Sequence, residues 1–159
     1  MDQVRIFALG GLDENGKNMY VVEVNEAIFI IEAGLKYPDS DKLGVEFIIP
    51  DFSYLIENKD RIKGIFITHA HDDVVAALPY LLKQINIPVY TGNLTANIIH
   101  ETLKKEGIKN VKIHRMKRTS KQTIGGVKVR TFPMTHAFPD NFGLAISTDQ
   151  PRIYRMLGR

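Results

Sequence analysis

Cysteine is absent from this 159-residue sequence. Disulfides, cysteine-ligated zinc and thiolate catalysis are thereby excluded, which suits a reducing, cytoplasmic setting. No apolar run reaches the ~18 residues that a membrane span needs, so no membrane partner is expected. Met1 to Arg5 lacks the basic and apolar regions of a secretory signal and leads directly into a strand-like run. There is no internal repeat and no low-complexity segment. Acidic residues are scarce in the later part of the chain. Residues 104–130 carry 10 lysines and arginines against one acid, Glu106, whereas residues 1–60 carry 12 acids and 5 bases. The net charge of +3 hides this asymmetry. Such a basic segment reads either as a nucleic-acid face or as a solvated helix and strand edge. Lys112, Arg115, Lys117, Arg118 and Lys121 are its candidate nucleic-acid contacts.

The composition is otherwise that of a globular domain, 44% apolar and 25% charged, and the length suits a single domain with a real core. Val4 to Leu9 reads as a strand closed by Gly10-Gly11. Asn18 to Val24 and Ala27 to Glu32 read as a hairpin turning at Asn25-Glu26. A long irregular stretch then runs to Pro50, a length that usually signals function. Tyr54 to Asn58 reads as a short helix and residues 64–68 as a buried strand. Helices are expected from about residue 74 to Lys83 and from Leu94 to Glu106, the latter capped by Asn93 and stopped by Gly107. Pro88 to Tyr90, Lys112 to Arg115, Val127 to Pro133 and Gly143 to Thr148 are further strands, with Gly125-Gly126 as a turn. Hairpins first, then alternating strands and helices, predict an α/β layered domain with a mixed sheet and helices on its outer faces.

The stretch Thr68-His69-Ala70-His71-Asp72-Asp73-Val74 carries the chemistry. Two histidines one residue apart, with an aspartate two further on, follow the buried strand and precede a helix. That spacing suits cation ligands on a tight loop. Thr135-His136, after a second strand, offers a third imidazole. A structural histidine pair is the plainer reading of His69 and His71, and the third histidine weighs against it. Asp72 and Asp73 also read as carboxylates favouring a helix N-terminus. His100 and His114 lack a partner motif and read as surface residues.

Several segments together resemble the metallo-β-lactamase superfamily, and more narrowly the bacterial ribonuclease J family. They are Phe7 to Gly11, Gly16 to Tyr20, Ile30 to Leu35, Ile49 to Tyr54, Glu57 to Asp60, Thr68 to Asp73 and Thr135 to Asp140. The resemblance runs from about residue 4 to residue 154. It implies the N-terminal portion, residues 1–159, of an αββα metallo-hydrolase domain. The family's second half, clamp domain and C-terminal domain have no counterpart here. It further implies that His69, His71 and His136 form a first metal site, with Asp73 as the second-site aspartate and catalytic residue. Glu32, Asp72 and Asp140 would be supporting residues, Glu32 standing where the family usually has aspartate. Val74 occupies the position of the second-site histidine and has no lone pair to offer. Arg155 to Arg159 contains no carboxylate for the bridging position.

The resemblance therefore implies a metal-dependent ribonuclease, cleaving RNA by 5′-to-3′ exonucleolytic and endonucleolytic hydrolysis in RNA processing and decay, ribosomal RNA included. The chain should hold at most one divalent ion tightly, zinc before manganese or magnesium. Its cleavage should be weak or impaired. Its partners would be RNA and either a second copy or a more active ribonuclease J paralogue. The alternatives are a non-catalytic RNA-binding or assembly subunit without metal, and a mono-metal hydrolase of a small ester or amide.

Overall fold

A computed structural model describes residues 2–148 and the strand Ile153–Met156. Arg152 and Arg159 lie outside the described residues, and of Arg155 only the strand backbone is described. The bridging-carboxylate position sought at Arg155–Arg159 therefore falls outside them too.

Asn25 turns the first hairpin with φ 54°, a conformation that Asn tolerates. It joins β2 (Met19–Val24) to β3 (Ala27–Ile31), and β1 (Val4–Gly10) pairs antiparallel on the outer side of β2. From β3 the pairing becomes parallel, through β4 (Ile62–Ile67), β5 (Val89–Thr91) and β6 (Ile113–Arg115). The result is a six-stranded mixed sheet in sequence order. A second, antiparallel sheet has the order β10-β9-β8-β7, built from β7 (Lys121–Ile124), β8 (Val127–Pro133), β9 (Phe142–Ser147) and β10 (Ile153–Met156).

The alternation of side chains across each strand creates two cores. Val21, Ile28, Ile30, Ile65 and Ile67 face a helical layer that contributes Leu55, Leu78, Leu81, Ile99 and Leu103. Their neighbours Val22, Phe29, Ile31 and Phe66 face the second sheet and meet Val129, Phe142, Leu144 and Ile146. β3 and the inner part of β4 are buried on both faces, which is why they read as unbroken apolar runs. The layers are thus helix, mixed sheet and antiparallel sheet. Helices cover the outer face of the mixed sheet and the second sheet stacks on its other face, the arrangement that the αββα resemblance implies.

The helices are α1 (Ser53–Glu57), α2 (Asp72–Val75), α3 (Leu78–Leu82) and α4 (Asn93–Lys105). The single helix expected from residue 74 to Lys83 is two short ones, because Pro79 has no N–H to return to Val75 and restricts the residue before it. α4 is entered from Gly92, and Asn93 makes no side-chain cap, contrary to the sequence expectation. No helix among the described residues is long and apolar enough to cross a membrane.

Candidate metal centre

The buried strand β4 delivers Thr68 and His69 to its C-terminal end, both essentially inaccessible to solvent. The chain then turns outward through Ala70, and His71, in extended backbone, precedes α2. A strap crosses this turn. Ala33 and Leu35 donate their N–H groups to the carbonyls of Val74 and Asp72, and Ala77 returns one to Ala33. Gly34 is required there, since a Cβ would lie 1.6 Å from the Asp73 carbonyl oxygen. Asn18 locks the same carbonyl from β2's side with its backbone N–H, 3.1 Å, and its Nδ2, 3.0 Å.

His136 reaches this point from the loop between β8 and β9. One nitrogen each of His69, His71 and His136 lies within 4.8 Å of the others. The ring centroids are 4.3 Å apart for His69 and His136, and 4.6 Å for His69 and His71. Burial, together with the neighbouring His136 and His71, pulls His69 down to about 4, so its ring is neutral at physiological pH. His69 Nε2 is buried and has no hydrogen-bond partner among the described residues. An orphaned buried nitrogen costs stability unless something accepts its lone pair or its proton.

The other face of His69 explains which form it takes. With Glu32 ionised, Thr68 donates its hydroxyl to Glu32 Oε1, 2.5 Å, and its N–H to Glu32 Oε2, 3.1 Å. The hydroxyl is then free to accept from His69 Nδ1, 2.9 Å away. With the proton on Nδ1, the lone pair of Nε2 points into the cluster. Glu32 itself holds a left-handed backbone conformation, φ 67°, which is strained for a long side chain. Burial pushes its carboxyl up to about 8, partly offset by the two Thr68 hydrogen bonds, with the Asp73 charge adding to the rise. His136 is held differently. Its Nδ1 accepts the Phe138 N–H, 3.0 Å, so the neutral ring carries its proton on Nε2. Ligation through Nε2 would exchange that hydrogen bond.

Asp73 stands outside the three-histidine cluster. Its carboxylate accepts from Asn18 Nδ2, 3.2 Å, and with His71 it borders a cavity of about 460 Å³ that Lys36 and Tyr37 also line. Asp72 is exposed and accepts the Tyr37 hydroxyl, 2.7 Å. Both aspartates lie in the first turn of α2, but no side chain caps that helix. Val74 is 3% exposed, its side chain turned into the interior.

Asp140, a supporting residue in the sequence reading, is engaged at the start of α4. Its carboxylate caps α4, accepting from Leu94 N at 2.7 Å, Thr95 N at 3.3 Å and Thr95 Oγ1 at 3.2 Å. That ties the His136 loop to the helical layer. Of the basic candidates, Arg115 is spent on Asn93 O and Asn97 Oδ1, and Arg118 on Met134 O. Lys112 and Lys117 are exposed, and Lys121 lines a shallow cavity on the second sheet. His100 is exposed, and His114 stacks on Tyr90 at 4.6 Å. Sequence reading did not assign roles to Asn18, Tyr37 or Thr68. The Thr-His adjacency at the end of β4 was the one available signal, since Asn18 and Tyr37 meet the motif only through the fold.

A sheet-on-sheet core with a helical layer and a histidine cluster at the strand ends is the layered arrangement of the metallo-β-lactamase fold. The chain belongs to the beta-lactamase superfamily domain family, whose model matches residues 46–156. It is 39% identical over 153 residues to ribonuclease J 1 of Streptococcus pyogenes, covering 96% of this chain and 27% of that protein. It is 42% identical over 146 residues to ribonuclease J 2 of Staphylococcus saprophyticus, covering 91% and 26%. The chain thus spans about a quarter of the length of the relatives it matches. Among solved structures, human tRNase Z, short form, superposes with a TM-score of 0.62 at 17% identity over 99% of this chain and 69% of that one. A protein of unknown function from Enterococcus faecalis gives 0.68 at 16% identity, over 94% and 41%. At those identities the likeness is one of fold.

Proposed function

We propose that this chain is the N-terminal part of a ribonuclease J-like protein that acts on RNA, holds one divalent ion tightly and cleaves phosphodiesters weakly. The carrying observation is the pairing of a ready cluster with an unfit neighbour. Three imidazoles converge with the buried His69 Nε2 unpartnered, while the position after Asp73 is filled by buried, apolar Val74. The donor set fits a divalent ion, with zinc first, because three imidazoles and an open position make a catalytic rather than a closed structural site. When bound, such an ion would polarise a phosphoryl oxygen and make a water molecule more acidic.

The chain's own residues do the rest. Glu32, through Thr68, fixes the tautomer of His69, an arrangement that strengthens and orients a ligand. Asp73, held by Asn18, faces the cavity where a scissile phosphate would sit. Lys36 on the same wall supplies positive charge, tempered by Glu14 at 3.7 Å. A second ion would need more than Asp73, and Val74 offers nothing. Processing and decay of RNA, ribosomal RNA among it, and pairing with a more active paralogue or a second copy follow from this reading.

The test compares RNA decay rates of this protein and a ribonuclease J relative at equal concentration with zinc or manganese. A rate lower by on the order of a hundredfold, the size of effect that losing one metal-supporting partner has, is expected. A matching rate would overturn the claim of impaired cleavage. A zinc-induced rise in melting temperature, absent in His69→Ala, is expected as well, and its absence would favour a metal-free RNA-binding or assembly role.

A further inference from the structure

The outer face of the second sheet is basic and uncompensated. From Gly107 to Pro139 the sequence contains no aspartate or glutamate and eight lysines and arginines. In β8, Val127 and Val129 turn into the core while Lys128 and Arg130 are exposed. Register places Lys121 of β7 directly opposite Arg130, and Thr123 opposite Lys128. On the other side Lys128 pairs with Ser147 and Arg130 with Ala145 of β9. Three cations thus ring a shallow cavity of about 350 Å³ floored by small and polar side chains, Thr123 and Ser147 among them. Among the described residues, no carboxylate pairs with Lys121, Lys128 or Arg130, whereas Arg5, Arg61, Lys17, Lys36 and Lys83 each have one. Like charges directly opposite across a sheet destabilise it. Lys121 against Arg130 is such a pair, and no carboxylate among the described residues is paired with either.

We propose that this face is a second RNA-contact surface, separate from the histidine cluster, which holds the sugar-phosphate backbone of a single strand without reading its sequence. The proposal rests on the reading of the protein as RNA-acting. The charge is complementary to phosphates on a face where Lys121, Lys128 and Arg130 stand close together with no described carboxylate paired to them. The two arginines that the sequence puts forward, Arg115 and Arg118, are engaged by α4 and by the Met134 carbonyl, and the face instead recruits Lys128 and Arg130. Membrane surfaces suit it less. An interfacial anchor sets large apolar side chains exposed among its cations; here Lys121, Thr123, Lys128 and Arg130 are exposed, and the large apolar side chain that β8 adds to their face, Phe132, is half-buried across Gly143.

The experiment measures binding of a labelled single-stranded RNA at a series of salt concentrations. The variants are Lys121→Gln/Lys128→Gln/Arg130→Gln, the charge-keeping Lys121→Arg/Lys128→Arg, and a control with the same charge loss on another face, Lys104→Gln/Lys105→Gln/Lys109→Gln. Melting temperature and zinc binding are followed in each. The triple face variant should bind on the order of tenfold more weakly on every sequence. Its slope of log affinity against log salt should be shallower by about two, since each single-strand phosphate contact contributes ~0.7. Zinc binding should be unchanged, and the Arg variant should bind as the parent does. Equal loss in the control, or an unchanged face variant on a parent that binds RNA, would overturn this surface and leave the RNA-acting reading standing. A parent that binds no RNA, or that binds only anionic vesicles, would overturn both.

Discussion

Glu32 and His69 titrate in opposite senses, and Thr68 joins them. For Glu32 the folded value, about 8, stands above its ordinary 4.5. Its contribution to stability is therefore intact below pH 4.5 and is lost as the pH climbs through 8. For His69 the folded value, about 4, stands below 6.5, so stability is lost as the pH falls from 6.5 toward 4. The two nearly cancel between pH 4.5 and 6.5. The metal-free protein should thus be level over that range and lose about 2 kcal/mol between pH 6.5 and 8, read from denaturant midpoints. Glu32→Gln should abolish the alkaline loss. It should also weaken zinc binding about 10–100-fold, because an amide, unlike the carboxyl, cannot ionise into the pure acceptor that draws the Thr68 hydroxyl and leaves its oxygen to accept from His69 Nδ1. A variant with wild-type pH dependence and wild-type zinc affinity would remove Glu32 from the account. Gly34 sets a steric limit at the same spot. With the Asp73 carbonyl 1.6 Å from where a Cβ would be, Gly34→Ala must move the strap off α2. A loss of about 3 kcal/mol or more is expected in chemical denaturation, and a loss under 1 kcal/mol would show that the strap is not tight.

Among the elements, α4 and the His136 loop depend on each other through Asp140. Asp140→Ala removes two backbone acceptor bonds at the helix start and should cost about 1 kcal/mol. It should also weaken zinc binding, since the loop that carries His136 loses its anchor. An unchanged zinc affinity would confine Asp140 to the helix. What was legible at this scale depended on sequence distance. His69 and His71 stand two apart on one loop, so their spacing announced them. The Asp140 cap spans 45 residues to Thr95, and no local pattern marks it, so the nearby Asn93 was taken for the cap. β7 escaped notice because Lys121 to Ile124 is mostly polar and only Ile124 is buried. The motif helix read as continuous because its apolar pattern runs through Pro79, which divides it.

At the scale of the whole molecule, the α/β layering was readable from the order of hairpins and helices, but the stacking of two sheets was not. Strands buried on both faces lose the two-residue alternation that would reveal a second partner layer. The resemblance to ribonuclease J supplied that arrangement, and the relatives and the fold agree with it. The fold also accounts for the chain's uneven charge. The acid-poor segment forms β6, β7 and β8 at one side of the molecule, with its free cations on the outer sheet face. The histidine cluster draws on both sheets, His69 and His71 after β4 and His136 after β8, so an ion held there would link the two layers. Saturating zinc at a hundredfold over its Kd should add about 2.7 kcal/mol, or about 5–10 °C for a domain of this size.

Calorimetric titration of the metal-free protein with zinc, beside His136→Ala, addresses the cluster most directly. One ion per chain is predicted for the parent, with tight binding lost in the variant. Two ions held with similar affinity, or no zinc-binding heat at all, would contradict a three-imidazole site beside a neighbour that Val74 leaves without its ligand.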